Sequence, residues 1–202
     1  MPADPSVAYC LQRIGRGAAR WDTIVVSGAA DTTTSAEDLW AVWADLERWP
    51  LWSPLHRSAA WTSAARLTAG ATFDQRISLG FPVGTTTEHV TISLLEPARR
   101  ASRAGSANGV RSCHLRSFAL LPGGGTHVSN TEAFAGLPVA LLRPLVARRW
   151  NRLFQAAVDG RVRTATAGQT ERPSQNPESA STGGGVGSTG TRPTSAGGNH
   201  YS

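Results

Sequence analysis

Two hydrophobic periods, arranged in a fixed order along the chain, predict an α+β fold with an antiparallel sheet covered on one face by a long C-terminal helix. The first is a period of two. In residues 71–79, Phe73, Ile77 and Leu79 fall on one side and Asp74, Arg76 and Ser78 on the other. In residues 88–95, Val90, Ile92 and Leu94 oppose His89, Thr91 and Ser93. Such alternation describes strands buried on one face and wet on the other. The second is a helical period in residues 138–163, where Val139, Leu142, Val146, Trp150 (or Leu153) and Ala157 recur three or four apart. The order strand, short helix, many strands, long helix is that of an α+β domain.

The elements follow in order along the 202 residues. Residues 1–20 carry Leu11, Ile14 and Ala18 at helical spacing, but Gly15 and Gly17 oppose a stable helix, so a flexible arm is expected. Residues 21–30 read as a strand centred on Ile24-Val-Val26. Ser35 is a helix N-cap with Asp38 three residues on, and Leu39, Trp40 and Trp43 supply the apolar face. Residues 45–54 (Asp-Leu-Glu-Arg-Trp-Pro-Leu-Trp-Ser-Pro) hold two tryptophans and two prolines. Proline stops a continuous helix there, and indoles close a hydrophobic space. Short strands are then expected at 57–62, 71–79, 88–95 and 99–104. Strands at 110–121 and 126–134 are joined by the hairpin turn Pro122-Gly-Gly-Gly125. Pro138 suits a first helical turn, and Pro144 should kink the last helix or split off its first turn. Residues 166–202 are dominated by Gly, Ser, Thr, Pro, Asn and Gln. They cannot repay their ordering entropy and are expected to be a disordered tail behind a domain spanning 21–165.

Composition excludes several classes. The net charge is +6 and all 20 basic residues are arginine, scattered except at Arg99-Arg100 and Arg148-Arg149. That dispersion argues against nucleic acid. Cys10 and Cys113 lack a ligand set, so no metal site is expected, and a disulfide between a flexible arm and a strand is not expected either. The chain therefore reads as a reducing, cytoplasmic protein. The first twenty residues lack the apolar region of a secretory signal, and no run approaches a membrane span. Gly123-Gly-Gly-Thr126 precedes a strand and has no Gly-Lys-Ser/Thr, so it is not a phosphate loop. No Gly-x-Ser-x-Gly elbow is present. No cofactor is implied.

Three stretches resemble the START-related, birch-pollen-allergen-like superfamily (SRPBCC), in particular its polyketide cyclase/dehydrase-like branch. The first is Ser35 to Pro54, with its D-x-x-x-W-P-x-W-x-P run. The second is Gly70-Ala-Thr-Phe73 and the strand pair ending at Leu95-Glu-Pro97. The third is Phe118-Ala-Leu-Leu-Pro-Gly-Gly-Gly-Thr-His-Val128 with Glu132 and Gly136. The resemblance covers about residues 21–165. It implies a helix-grip fold, a curved antiparallel sheet wrapped around the C-terminal helix with two short helices after the first strand. It also implies a cavity for a hydrophobic or amphipathic small molecule. It transfers no catalytic residue.

Strand parity then nominates site residues. If Phe118 and Leu120 point inward, so do His114 and Arg116; if Val128 does, so do Asn130, Glu132 and Phe134. The glycine turn sets 116 opposite 130 or 132, and 114 opposite 132 or 134. Glu88 shares the inward parity of Val90. These polar groups should pair or hold a ligand's carbonyl or hydroxyl. An Arg116–Glu132 ion pair that satisfies only itself is the plainer alternative. Trp52, Phe73, Phe118 and Trp150 complete the candidate ligand-binding set, with Trp52 as a gate or core residue and Trp150 also as core. His114, titrating near neutrality, and Glu132 are the candidates for proton transfer. His89 and His127 have outward parity, and His56 is expected at the surface. Three functions remain open: binding a lipid- or polyketide-like molecule, a cyclase, aromatase or dehydrase reaction, and macromolecular interaction. The sequence does not give the oligomeric state.

Overall fold

The alternating segments pair into one seven-stranded antiparallel sheet in a computed structural model that describes residues 4–170. In chain order the elements are α1 (Pro5–Arg13), β1 (Thr23–Thr32), α2 (Ala36–Ala44), a 3-10 turn (Leu46–Arg48), α3 (Trp49–Trp52), β2 (His56–Trp61), β3 (Thr72–Gly80), β4 (Gly84–Glu96), β5 (Arg100–Ala107), β6 (Val110–Leu120), β7 (Thr126–Ala135) and α4 (Leu137–Thr170). The strand order is β1-β7-β6-β5-β4-β3-β2. Strands β2 to β7 form a meander, β1 closes against β7, and α2 and α3 carry the chain from one sheet edge to the other. This is the helix-grip architecture.

Local chemistry accounts for the elements. The Ser35 hydroxyl accepts the Asp38 N–H at 3.1 Å and donates to the Asp38 carboxylate at 2.8 Å, which caps α2. Pro50 stands in the first turn of α3, and Trp49 Nε1 donates to the Trp43 carbonyl at 2.7 Å, tying α3 back to α2. One apolar cluster joins Val139, Val146, Trp150, Phe154 and Ala157 of α4 to Ile24, Val26, Ile77 and Phe134 of the sheet. A second packs Trp43, Leu46, Trp49 and Trp52 on Phe73, Val90 and Ile92. Each large side chain buried this way contributes roughly 1.5–3 kcal/mol. Two glycines let α4 lie close. A Cβ on Gly28 would stand 2.8 Å from the Gln155 backbone, and one on Gly160 would stand 2.0 Å from the Trp52 carbonyl oxygen.

Several expectations are corrected. Residues 5–13 are helix α1, not an arm. Asp4 caps it by accepting the Ser6 N–H at 2.8 Å, and Pro5 opens it. Gly15 terminates it at φ +73°, where the Gly15 and Arg16 N–H groups donate to the Gln12 and Leu11 carbonyls. Gly15, one of the two glycines that argued against the helix, is its stop signal. Cys10, Leu11 and Ile14 pack on Cys113, Leu115, Ala133 and Ala135, so this part of the sheet's second face is covered and not wet. Cys10 and Cys113 form a disulfide with Cα atoms 5.2 Å apart. The expectation of two free thiols fails because α1 is docked, and the argument for a reducing compartment falls with it. Helix α4 runs unbroken through Pro144 and continues to Thr170, so residues 166–170 are helical and not tail. The remainder of the expected disordered tail lies outside the described residues. Leu120 shares the parity of Phe118 but ends its strand 84% exposed. No described helix is long and apolar enough to cross a membrane.

Candidate binding site between the sheet and the long helix

The register of β6 and β7 sets the site. Arg116 stands opposite Asn130, and His114 opposite Glu132. All four are buried on the face toward α4. Strand β5 adds Arg103, in register with His114. Strand β3 adds Gln75, in register with Glu88 of β4. Helix α4 adds Arg161, one turn beyond Ala157. His56, at the start of β2, is buried and corrects the surface expectation; its Nδ1 lies 2.7 Å from the Ser53 hydroxyl.

A chain of hydrogen bonds crosses the site. Gln75 Nε2 donates to Glu88 at 2.8 Å, and Arg103 donates to the Gln75 side-chain oxygen. Arg103 also donates to His114 Nδ1 at 2.9 Å, and the same nitrogen lies 3.1 Å from Glu132 Oε2. Glu132 thus meets His114, and no ion pair joins it to Arg116. Since Arg103 can only donate, Nδ1 accepts, which puts the histidine proton on Nε2. Arg161 donates to Asn130 Oδ1 at 3.1 Å. The guanidiniums also lie on aromatic faces. Arg116 is 5.0 Å from the Trp49 ring centroid, Arg161 is 5.1 Å from Trp52 and 5.8 Å from Phe118, and Arg103 is 6.0 Å from Phe73. Several buried polar atoms have no protein partner: Nε of Arg103, Arg116 and Arg161, Nη1 of Arg161, and Nε2 of His114.

Burial dominates the electrostatics. It pulls His114 well below the ordinary imidazole range, and the Arg116, Arg103 and Arg161 charges reinforce it. His56 is lowered the same way. Burial raises Glu132 to about 7, with Arg103 and Arg116 opposing and Glu88 assisting. The group poised at neutrality is therefore Glu132, not His114. Desolvation lowers Arg161 to about 9, which leaves it cationic at neutral pH.

The structure brings together His114, Arg116, Asn130 and Glu132, with Glu88 linked through Gln75 and with Trp52, Phe73 and Phe118 around them. Trp150 stands apart, against Phe134 at 5.0 Å in the apolar cluster. His89 and His127 lie outside, each beside a carboxylate, Asp74 and Asp31. Arg103, Arg161, Gln75 and His56 are additions. The signal for Arg103 was Asn108-Gly109, a two-residue hairpin turn with both φ positive that fixes the β5–β6 register. Two hollows flank the site. One of ≈ 440 Å³, between α2, α3 and α4, is lined by Asp38, Asp45, Leu51, Trp52 and Ala165. The other, ≈ 800 Å³, is lined by Glu37, Arg99, Arg100, Phe118 and Leu120. Among the described residues no cluster of side chains has the makeup of a metal site.

The family model for polyketide cyclase / dehydrase and lipid transport matches residues 23–166. The chain belongs to this family. Solved structures repeat the polyketide cyclase / dehydrase and lipid transport fold at low identity. The Zhui aromatase/cyclase from Streptomyces sp. R1128 is 14% identical with a TM-score of 0.58, over 71% of this chain and 94% of that one. The hypothetical protein jhp0584 from Helicobacter pylori is 14% identical with a TM-score of 0.64, over 82% and 99%. Ara h 8.0201 is 11% identical with a TM-score of 0.56, over 72% and 99%. No curated protein matches the sequence. Within the family, a cyclase and a carrier can share this scaffold, so the side chains of the site must decide between them.

Proposed function

We propose that the protein binds an amphipathic small molecule between the sheet and α4. Its apolar body lies against Trp49, Trp52 and Phe118, and its polar end reaches Arg103, His114, Arg116 and Arg161. The observation that carries this reading is the set of buried donors without protein acceptors. Leaving such groups unmade costs roughly 1–3 kcal/mol each, so they are costly in a purely structural core. Trp52 is the door in this reading. It walls the ≈ 440 Å³ hollow on one side and covers Arg161 on the other. The test is native mass spectrometry of the full chain with organic extraction, paired with titration of the neutral fluorophore N-phenyl-1-naphthylamine. A retained apolar compound or saturable probe binding supports the reading. A clean apo mass with no probe binding overturns it.

A second reading makes the same site catalytic. It rests on Glu132, raised to about 7 beside His114, because a general acid or base works best near ambient pH. In a cyclase or dehydrase reaction Glu132 would move the proton while a guanidinium polarises the carbonyl. The extracted compound decides this. Returned to the wild-type protein it emerges altered, and with Glu132→Gln it binds but emerges unchanged.

A further inference from the structure

Charge in the buried site does not balance. Three guanidiniums lie within it, with Arg103 5%, Arg116 1% and Arg161 0% exposed. Arg103 faces the acidic side, through Gln75 to Glu88 and through His114 to Glu132. Arg116 bonds to no carboxylate, although Glu132 lies close enough to act on its charge, and no carboxylate acts on Arg161. Among the described residues neither forms an ion pair, Arg161 donates only to the neutral Asn130 oxygen, and Arg116 donates to no protein group. Their remaining neighbours are the faces of Trp43, Trp49, Trp52 and Phe118. Burial lowers both guanidiniums from their ordinary range, yet a guanidinium holds its proton strongly, and both are cations at neutral pH. With Glu132 the one carboxylate acting on Arg116 and none acting on Arg161, net positive charge stays buried, a costly arrangement for a core. A ligand hydroxyl or carbonyl would satisfy one donor and leave the charge uncompensated.

Resting on the binding function proposed above, we infer that the buried end of the ligand is a carboxylate, held by Arg116 and Arg161, on an otherwise apolar body. The planar fork of guanidinium donors matches the two oxygens of a carboxylate. Because Glu132 already acts on Arg116, a singly charged head group balances the site better than a doubly charged phosphate. The surrounding indole and phenyl faces select an apolar remainder, aromatic or alkyl. Arg103 stays bonded to Gln75 and His114 and, with Glu132 beside His114, sets the far boundary of the anion site.

The experiment compares matched ligands by displacement of N-phenyl-1-naphthylamine from the full chain. The pairs are dodecanoate with dodecan-1-ol, and 2-naphthoate with 2-naphthylmethanol; dodecyl phosphate is the third head group. The acid of each pair should displace the probe at a concentration at least tenfold below that of its alcohol, and below that of dodecyl phosphate. In Arg116→Met and Arg161→Met the acid-to-alcohol ratio should collapse toward one, with far-ultraviolet circular dichroism reporting that each variant is folded. Equal affinity of acid and alcohol for the wild-type protein overturns the carboxylate assignment while leaving the pocket standing, and needs no variant. Preference for the phosphate also overturns it. Failure of the probe and of every ligand to bind overturns the pocket and this inference together.

Discussion

At Glu132, burial and neighbouring charge pull in opposite directions, and burial wins. Its folded pKa near 7 lies above the ordinary 4.5, so between those values the folded chain holds a proton that the unfolded chain has released. Stability from this group is therefore lost as pH rises through that window. His114 and His56 act with the opposite sign. Held neutral in the fold, they add stability as pH rises toward their ordinary 6.5. Comparing wild type with Glu132→Gln isolates the carboxylate. Urea unfolding should show the wild type losing on the order of 3 kcal/mol relative to the variant between about pH 4.5 and pH 8. A pH-independent difference would mean that Glu132 keeps an ordinary pKa. The residues around it were unequally legible in the sequence. His114, Arg116, Asn130 and Glu132 follow from the parity of Phe118 and Val128. Arg103 did not, because β5 reads Arg-Ala-Ser-Arg-Ala-Gly-Ser-Ala and has no apolar rhythm to assign its faces. Arg161 sits at helical spacing from Ala157, but an apolar search passes over a cation.

The elements themselves were the most legible part, since strand and helix periods differ and turns carry their own residues. The long helix shows where that reading stops. Its apolar face predicts contact with the sheet, but only the structure shows how close the contact is. Gly160 places its Cα against the Trp52 carbonyl, leaving no room for a methyl group. Gly160→Ala must push backbone from backbone and should cost about 3 kcal/mol, read as a lowered urea midpoint with unchanged slope. Gly168, on the same helix, has open space around its Cβ position, and Gly168→Ala serves as the control, with no loss expected. Helix α1 was missed for the reverse reason. Its stabilising partners, Cys113, Leu115, Ala133 and Ala135, are distant in sequence, so its own short apolar stripe looked too weak to hold.

Across the whole molecule, the disulfide ties the first helix to the sixth strand over a sequence separation of 103 residues. A loop of that length restricts the unfolded chain by about 4–5 kcal/mol in the chain-entropy account. Adding reductant, or replacing Cys10 by Ser, should lower the guanidinium midpoint accordingly; an unchanged midpoint would show that packing of α1 alone supplies its stability. The same covalent loop also has a mechanical consequence. It encloses β1 to β5, whereas β7 and α4 lie outside it. Tension applied between the chain ends can peel away the long helix and the last strand, but it cannot draw out the enclosed strands while the sulfurs stay joined. About 350 Å of contour, 103 residues at ~3.4 Å each, is then hidden from the pulling force. The oxidised protein is a short tether with a knot of protected sheet, and the reduced one is extensible along its full length.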